Sequence, residues 1–341
     1  MPAEPPDLSK VRLHVVTGKG GTGKSTVAAA LALALASHGR SVLLCEVEGR
    51  QGIARMFDVD PLPYAERRIA TGLPGTRGRA GTVHALHVDP ESALLEYLAM
   101  YYRLGRAGRA LDRFGVVEFA TTIAPGVRDV LLTGKVYEAA QVPRRAKGVP
   151  SHDAVVLDAP PTGRIAQFLG VNSELAGLAK VGPIKAQADN VMQLLRSPQT
   201  AIHLVTVLEE MPVQETTDGI AELRAAGLPV GAVVVNQVRP QDLGPEQLAA
   251  ARAGTLDAGQ VREDLAAAGA GAAEGGLDDA LVTGLLAQAH DHAVRRALED
   301  AQRAVVAELG VPVHELPRLA GGVDLGGLYE LAAVLKEGGL A

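Results

Sequence analysis

Gly18-Lys19-Gly20-Gly21-Thr22-Gly23-Lys24-Ser25-Thr26 is the stretch on which the fold turns. It follows an apolar run, Val11 to Thr17, that reads as a buried strand, and it opens an Ala- and Leu-rich stretch, Ser25 to His38, that reads as a helix closed by Gly39. Within that context the segment fits G-x-x-x-x-G-K-S/T, and strand, turn and helix in this order are what the pattern needs to carry meaning. Glycines allow backbone N–H groups to converge on phosphate oxygens, and the helix N-terminus adds partial positive charge. Lys24 is placed to hold β- and γ-phosphates, the Ser25 hydroxyl to ligate Mg²⁺, and Thr26 to reach an inner phosphate. Gly18, Gly20, Gly21, Thr22 and Gly23 supply the backbone of the cradle. An ordinary strand-to-helix turn has no need of Lys24 followed by two hydroxyl residues, so the sequence predicts binding of a nucleoside triphosphate, ATP, with Mg²⁺.

Working outward, Ser41 to Val47 is the next strand and completes a βαβ unit, which implies a parallel sheet covered on both faces. Further apolar runs at Val83 to Val88, Ala154 to Leu157, Ala201 to Val207, Val230 to Val235 and Val311 to Leu316 alternate with helical stretches. The expected fold is α/β, a doubly wound, mainly parallel sheet of the phosphate-loop NTPase kind. One such domain is expected over 11–341 after a flexible 1–10, with a mainly helical insertion at about 89–142 joined by part of 167–195. Ala266 to Leu277 is low in complexity and reads as a flexible connection. Ala154-Val155-Val156-Leu157-Asp158 ends a strand on a carboxylate, the expected position for an acid that acts on Mg²⁺ through water.

Composition narrows the class. The chain has 341 residues, 47% of them hydrophobic, with a net charge of −6, so it can bury a large core and carries no broad basic surface for nucleic acid. Arg67, Arg68, Arg77 and Arg79 cluster, and read as a solvated loop. The single Cys45 excludes an intrachain disulfide framework and a Cys-x-x-Cys metal knuckle. The start of the chain resembles neither a signal peptide nor an anchor, and no segment is a spanning helix, so a soluble, cytoplasmic protein is expected. His290 and His292 stand two apart, which does not share a helix face, so no metal site is expected there.

A second lysine within the loop, Lys19, is the mark of the deviant phosphate loop in dimeric ATPases resembling MinD and ParA, where that lysine reaches the partner's nucleotide. Asp158-Ala159-Pro160-Pro161-Thr162-Gly163-Arg164 resembles the Asp-Thr-Ala-Pro-Thr-Gly-His switch of the ArsA-type ATPases, which include the arsenite-pump ATPase and the chaperone that delivers tail-anchored membrane proteins. The resemblance extends to Leu86-His87-Val88-Asp89-Pro90 with Glu96-Tyr97, Ala124-Pro125-Gly126, Leu208-Glu209-Glu210-Met211-Pro212 with Glu215-Thr216, and Val234-Val235-Asn236-Gln237. It is strongest to the paired ArsA-like ATPases of actinobacteria. It implies that Asn236 bonds the adenine and that Pro317 and Arg318 lie on the loop covering the base. It also implies a homodimer, or a heterodimer with a paralogous ATPase, acting on a protein client that includes membrane proteins.

The sequence departs from that family at both switches. Aligned on Phe57, Glu48 stands where the family has the Asp that orients the attacking water, while surface solvation is the competing reading for Glu46 and Glu48. Ala159 and Arg164 replace the family's Thr and His. The interfacial zinc cysteines, the metalloid-binding cysteines and a second ATPase half are absent, so arsenite transport is a poor fit. Lys19, Lys24, Glu48 and Asp158 are the candidate catalytic residues of an ATP-dependent dimeric switch. A MinD- or ParA-like positioning ATPase and a metabolic ligase or synthetase on the same fold remain as alternatives.

Overall fold

The computed structural model describes residues 7–37, 39–47, 51–73, 80–102, 125–141, 151–178, 183–270 and 278–341. Eight strands form one sheet: β1 (Leu13–Gly18), β2 (Ser41–Glu46), β3 (Arg67–Thr71), β4 (Thr82–His87), β5 (Ala154–Asp158), β6 (Thr200–Thr206), β7 (Val230–Val238) and β8 (Val313–Pro317). Their order is β3-β4-β2-β5-β1-β6-β7-β8, parallel throughout except that β3 runs antiparallel to β4. The chain builds outward from β1 to one side through β5 and to the other through β6. The carboxyl end of β1 is therefore the point where the strand order reverses, the usual place for a ligand in such sheets.

The central strands are buried on both faces, which is why they read as continuous apolar runs without alternation. One face is covered by α1 (Lys24–Ala36), whose residues Val27 to Ala36 are all buried, and by α11 (Leu325–Glu337), packed on α1 through Leu328, Leu331, Ala332 and Leu335. A helix apolar on every side belongs inside a protein, and α1 is enclosed in this way. Tyr329 ties α11 to the sheet edge, its hydroxyl donating to the carbonyl of Thr71 at 2.7 Å. The opposite face carries α4 (Pro125–Ala140), α5 (Thr162–Leu178), α6 (Pro183–Leu195) and α7 (Glu210–Ala225), and α3 (Pro90–Tyr102) packs on α4. Of the stretches expected to form a helical insertion, residues 103–124, 142 and 179–182 lie outside the described ones.

Three expectations need correcting. Arg67 and Arg68 lie in β3 and not in a solvated loop, while Arg77 and Arg79 lie outside the described residues. A charged antiparallel edge strand is what blunts edge-to-edge association, and it gives none of the apolar signal of a central strand. Ala266 and Ala267, the first two residues of the expected flexible connection, finish a helix, α9 (Ala258–Ala267), and residues 271–277 of that connection lie outside the described ones. Leu8–Lys10 forms one 3₁₀ turn where the sequence suggested a flexible terminus.

Contacts divide the chain into two compact units, the sheet with its helices and a helical unit formed by 239–308 together with 208–210. The second contains α8 (Pro245–Ala253), α9 and α10 (Asp279–Ala307). Asp257 caps α9 and Asp278 caps α10, each accepting from a backbone N–H three residues on. Within it, buried Glu299 takes Arg296 at 3.4 Å and Arg239 at 3.6 Å. Among the described residues no helix is long and apolar enough to cross a membrane, and no group of three metal-capable side chains occurs.

Candidate functional site

Strand β1 ends at Gly18, whose φ of 152° and whose proximity to β6 both exclude a side chain: a Cβ there would stand 2.2 Å from the carbonyl oxygen of Val205. The chain then turns through Gly21 and Gly23, at φ 91° and 89°, and enters α1 with Gly23 as N-cap and no capping side chain. The first N–H groups of α1, whose first turn is half-buried while the rest of the helix is enclosed, thus lack a capping side chain, the arrangement that suits an anion. Gly20 has ordinary φ, and nothing in the protein lies within 4 Å of the position its Cβ would take. Neither backbone strain nor packing demands glycine at that position, and the open space leaves room for a ligand to approach the backbone closely.

Three side chains secure the loop. The Thr22 hydroxyl donates to the carbonyl of Lys19 at 2.9 Å, and Lys24 directs its ammonium to that same carbonyl at 3.5 Å. Buried Asn236 donates its amide N–H to the carbonyl of Thr22 at 2.9 Å. That reach depends on a bulge: the β7–β8 register shifts between Val235 and Val238, and Gln237 sits at φ 58°. Asn236 also explains Gly23 a second time, since a Cβ at Gly23 would stand 2.3 Å from the Asn236 side-chain nitrogen. Pro317 ends β8, and Arg318 donates its backbone N–H to Val238 at 2.8 Å, which brings both next to the end of β7 that carries Asn236.

Ser25 donates its hydroxyl to Asp158 Oδ2 at 2.6 Å, joining the first turn of α1 to the end of β5. Asp158 is buried, and its strand pairs with β1 at Val16. With the serine proton given to Asp158, the serine oxygen keeps its lone pairs for another partner. A hydroxyl beside a carboxylate is a donor set suited to a small, hard divalent cation such as Mg²⁺. Beyond Asp158, the Thr17 hydroxyl donates to the carbonyl of Pro160 at 2.7 Å and fixes the start of the second switch. Arg164 at the start of α5 pairs with Asp129 of α4 at 3.7 Å, and burial raises the Asp129 carboxyl above its usual range while Arg164 holds it down. Thr26 lies against the Met56 sulfur at 3.8 Å.

Lys19 does not fold back on its own loop. Its ammonium meets the Glu215 carboxylate of α7, a residue 196 positions away. Glu48 lies outside the described residues. Its neighbour Glu46, for which surface solvation was the competing reading, is buried at 2% exposure at the end of β2, in register with Asp158. Glu46 accepts from the backbone N–H of Gly52 at 2.8 Å, and so ties the strand to α2 (Gly52–Met56). Sequence reasoning missed both Glu46 and Glu215. The first stands two residues before Glu48, so the period of a strand puts both on one face and does not single out Glu46, and the second is visible only in three dimensions.

Comparisons with known proteins show the family. The family described as anion-transporting ATPase matches residues 11–198 and 170–254. The chain is 55% identical to ATPase BagA of Mycobacterium tuberculosis over 337 residues, covering 98% of this chain and 96% of that protein. It is 24% identical over 268 residues to ATPase get3 of Neurospora crassa, covering 68% of this chain and 74% of that protein. It is also 27% identical over 246 residues to the arsenical pump-driving ATPase of Acidiphilium multivorum, covering 66% of this chain and 39% of that protein. The chain belongs to the ArsA-type, anion-transporting ATPase family.

Proposed function

We propose that this ATPase is a dimeric switch that binds Mg²⁺ and ATP at the Gly18–Thr26 loop, hydrolyses the nucleotide, and in doing so changes its affinity for a protein client. The observation that carries the reading is the Ser25–Asp158 hydrogen bond at the mouth of the glycine loop. In this reading the loop N–H groups and Lys24 hold the phosphates, Ser25 ligates the metal, and Asp158 acts on it through water. Thr26 reaches an inner phosphate. Asn236 bonds the base beneath a cover formed by Pro317 and Arg318. Glu48 orients the attacking water, a task set by geometry more than by side-chain length. The bound cation supplies charge stabilisation to the transferring phosphoryl group.

Lys19 supports a paired arrangement. Its ammonium is engaged with Glu215 and not with its own loop, so moving it onto a partner's nucleotide exchanges one anionic neighbour for another. A cation delivered in this way would make hydrolysis conditional on assembly. The pair is a homodimer or a heterodimer with a paralogous ATPase, and the client class includes hydrophobic membrane proteins, as for the chaperone branch that the sequence resembles. For hydrolysis to matter, the client must bind the two nucleotide states unequally. Light scattering in the presence of a non-hydrolysable ATP analogue, with and without the paralogue, tests the reading. The wild-type chain is expected to assemble and Lys19→Ala to stay monomeric with reduced turnover. Unchanged assembly and unchanged turnover in Lys19→Ala would remove the trans role.

A further inference from the structure

At the carboxyl edge of the sheet, among the described residues, Glu46 Oε2, His87 Nδ1 and Thr162 Oγ1 are buried and left over by the protein's own hydrogen bonding, and of these only Glu46 carries a carboxylate. Glu46 has two carboxyl oxygens. Oε1 accepts from the N–H of Gly52 at 2.8 Å. Oε2 is buried with no hydrogen-bond partner among the described residues. The nearest ionisable neighbour, His87 Nδ1, is 3.7 Å away, outside hydrogen-bond distance, and is itself buried without a partner. A buried carboxyl oxygen without a donor costs on the order of 1–3 kcal/mol, so a chain that retains one gains something elsewhere.

Register says where the open oxygen lies. Glu46 pairs with His87 on β4 and with Asp158 on β5. Residues paired across parallel strands share a face of the sheet, so His87, Glu46 and Asp158 form one row on the side covered by α1. Asp158 in that row already holds the Ser25 hydroxyl. Glu46 is therefore one strand spacing, ~4.8 Å, from the group that meets the metal in the proposed site. Solvation does not explain it, because the side chain is 3% exposed.

We infer that Glu46 is a positioning residue of the nucleotide site, whose Oε2 accepts a hydrogen bond from a water carried by the Mg²⁺ of the bound triphosphate. A water bound to metal through its lone pair can only donate, and Oε2 is a buried atom able only to accept in its ionised form. The same carboxyl group then does two things. One oxygen registers the metal-bound nucleotide, and the other holds Gly52, the first residue of α2, immediately after the segment that carries Glu48. Glu46 thus conveys occupancy of the phosphate site to the first switch without touching the phosphates. This inference rests on the nucleotide reading of the loop given above.

Glu46→Gln separates the two tasks, because one carbonyl oxygen can serve Gly52 or the water but not both. Binding of a fluorescent ATP analogue is measured with Mg²⁺ and with EDTA. Glu46→Gln is expected to weaken binding about tenfold with Mg²⁺, the size of one hydrogen bond to a charged group, and to leave binding in EDTA unchanged. Equal affinity to wild type in both conditions, or an equal loss in both, overturns the inference, since a merely structural role has no reason to follow the metal. A second measurement needs no variant. Hydrogen exchange of the 51–57 peptide in wild-type protein is expected to slow when Mg²⁺ is added to the ATP complex, and an unchanged rate overturns the inference as well. Lys24→Ala serves as the separate check: wild-type nucleotide affinity in that variant would remove the loop reading itself, whatever Glu46 does.

Discussion

On the face of the sheet covered by α1, polar side chains are buried in two places, and the two are built differently. At the strand ends buried Glu46 and Asp158, with half-buried Ser25 of α1, surround the mouth of the glycine loop. Deeper in the same face, His14 of β1 and His203 of β6 stack with ring centroids 5.4 Å apart and share a hydrogen bond of 3.1 Å. Burial pushes His14 well below its usual range, with His203 adding to the effect, and pushes His203 down to about 3. Both rings are therefore neutral, and the nitrogens they leave without a hydrogen-bond partner among the described residues belong to uncharged groups. Glu46 leaves a carboxyl oxygen open at the edge where a ligand enters. Polar burial within the sheet serves the fold, whereas in the proposed function polar burial at its carboxyl edge is completed by the nucleotide and its metal.

The largest effect expected from breaking this contrast is catalytic. Asp158→Asn keeps an oxygen for Ser25 but loses the charge, and ATP turnover should fall by about two to three orders of magnitude, in the range seen when one electrostatic group of a transition state is removed. Thermal unfolding of the variant should change little, and a large loss of stability with retained turnover would reverse the assignment of the two regions. The histidine pair should act in the opposite sense, on stability alone. Its folded-state pKa values lie below the unfolded value of about 6.5, so the unfolded chain takes up protons first as pH falls. Stability should be full above pH 6.5 and decline from there towards about pH 3, with each ring contributing a slope approaching ~1.4 kcal/mol per pH unit. Denaturant titrations at pH 7 and pH 5 check this, and a flat profile would mean that the rings are not buried as neutral bases.

A smaller effect probes the join between loop and scaffold. Gly23→Ala meets both a φ of 89° and the Asn236 amide, and should cost about 1–3 kcal/mol. Adding Asn236→Ala should relieve the collision but not the backbone strain, so the double variant should recover part of the loss; no recovery would show that Asn236 does not press on the loop. Smallest is Tyr329→Phe, which removes one hydroxyl bond to Thr71 far from either polar group. It should lower stability by about 1 kcal/mol in denaturant melts and leave nucleotide affinity unchanged.

Much of this architecture was legible because glycine, lysine and hydroxyl residues at fixed spacing between a strand and a helix have few other uses. Asp158 was legible for a related reason: an acid that ends an apolar run stands where buried backbone meets the ligand edge. Strand β3 was not, since its arginines give an edge strand the composition of a loop. Glu46 and Glu48 could not be told apart because the strand period of two puts both on one face, and only the end of β2 at Glu46 separates them. The engagement of Lys19 by Glu215, and of Asn236 by Thr22, joins residues 196 and 214 positions apart, and no local pattern encodes such a contact.

The central claim is that ATP is held by the Gly18–Thr26 loop through Lys24, and calorimetric titration of ATP with Mg²⁺ into wild type and Lys24→Ala tests it most directly. The expected result is one saturable site in wild type and a loss of affinity of at least about a hundredfold in the variant, the size of a charge-assisted phosphate contact removed from a partly buried site. Equal affinity in the two proteins would contradict it.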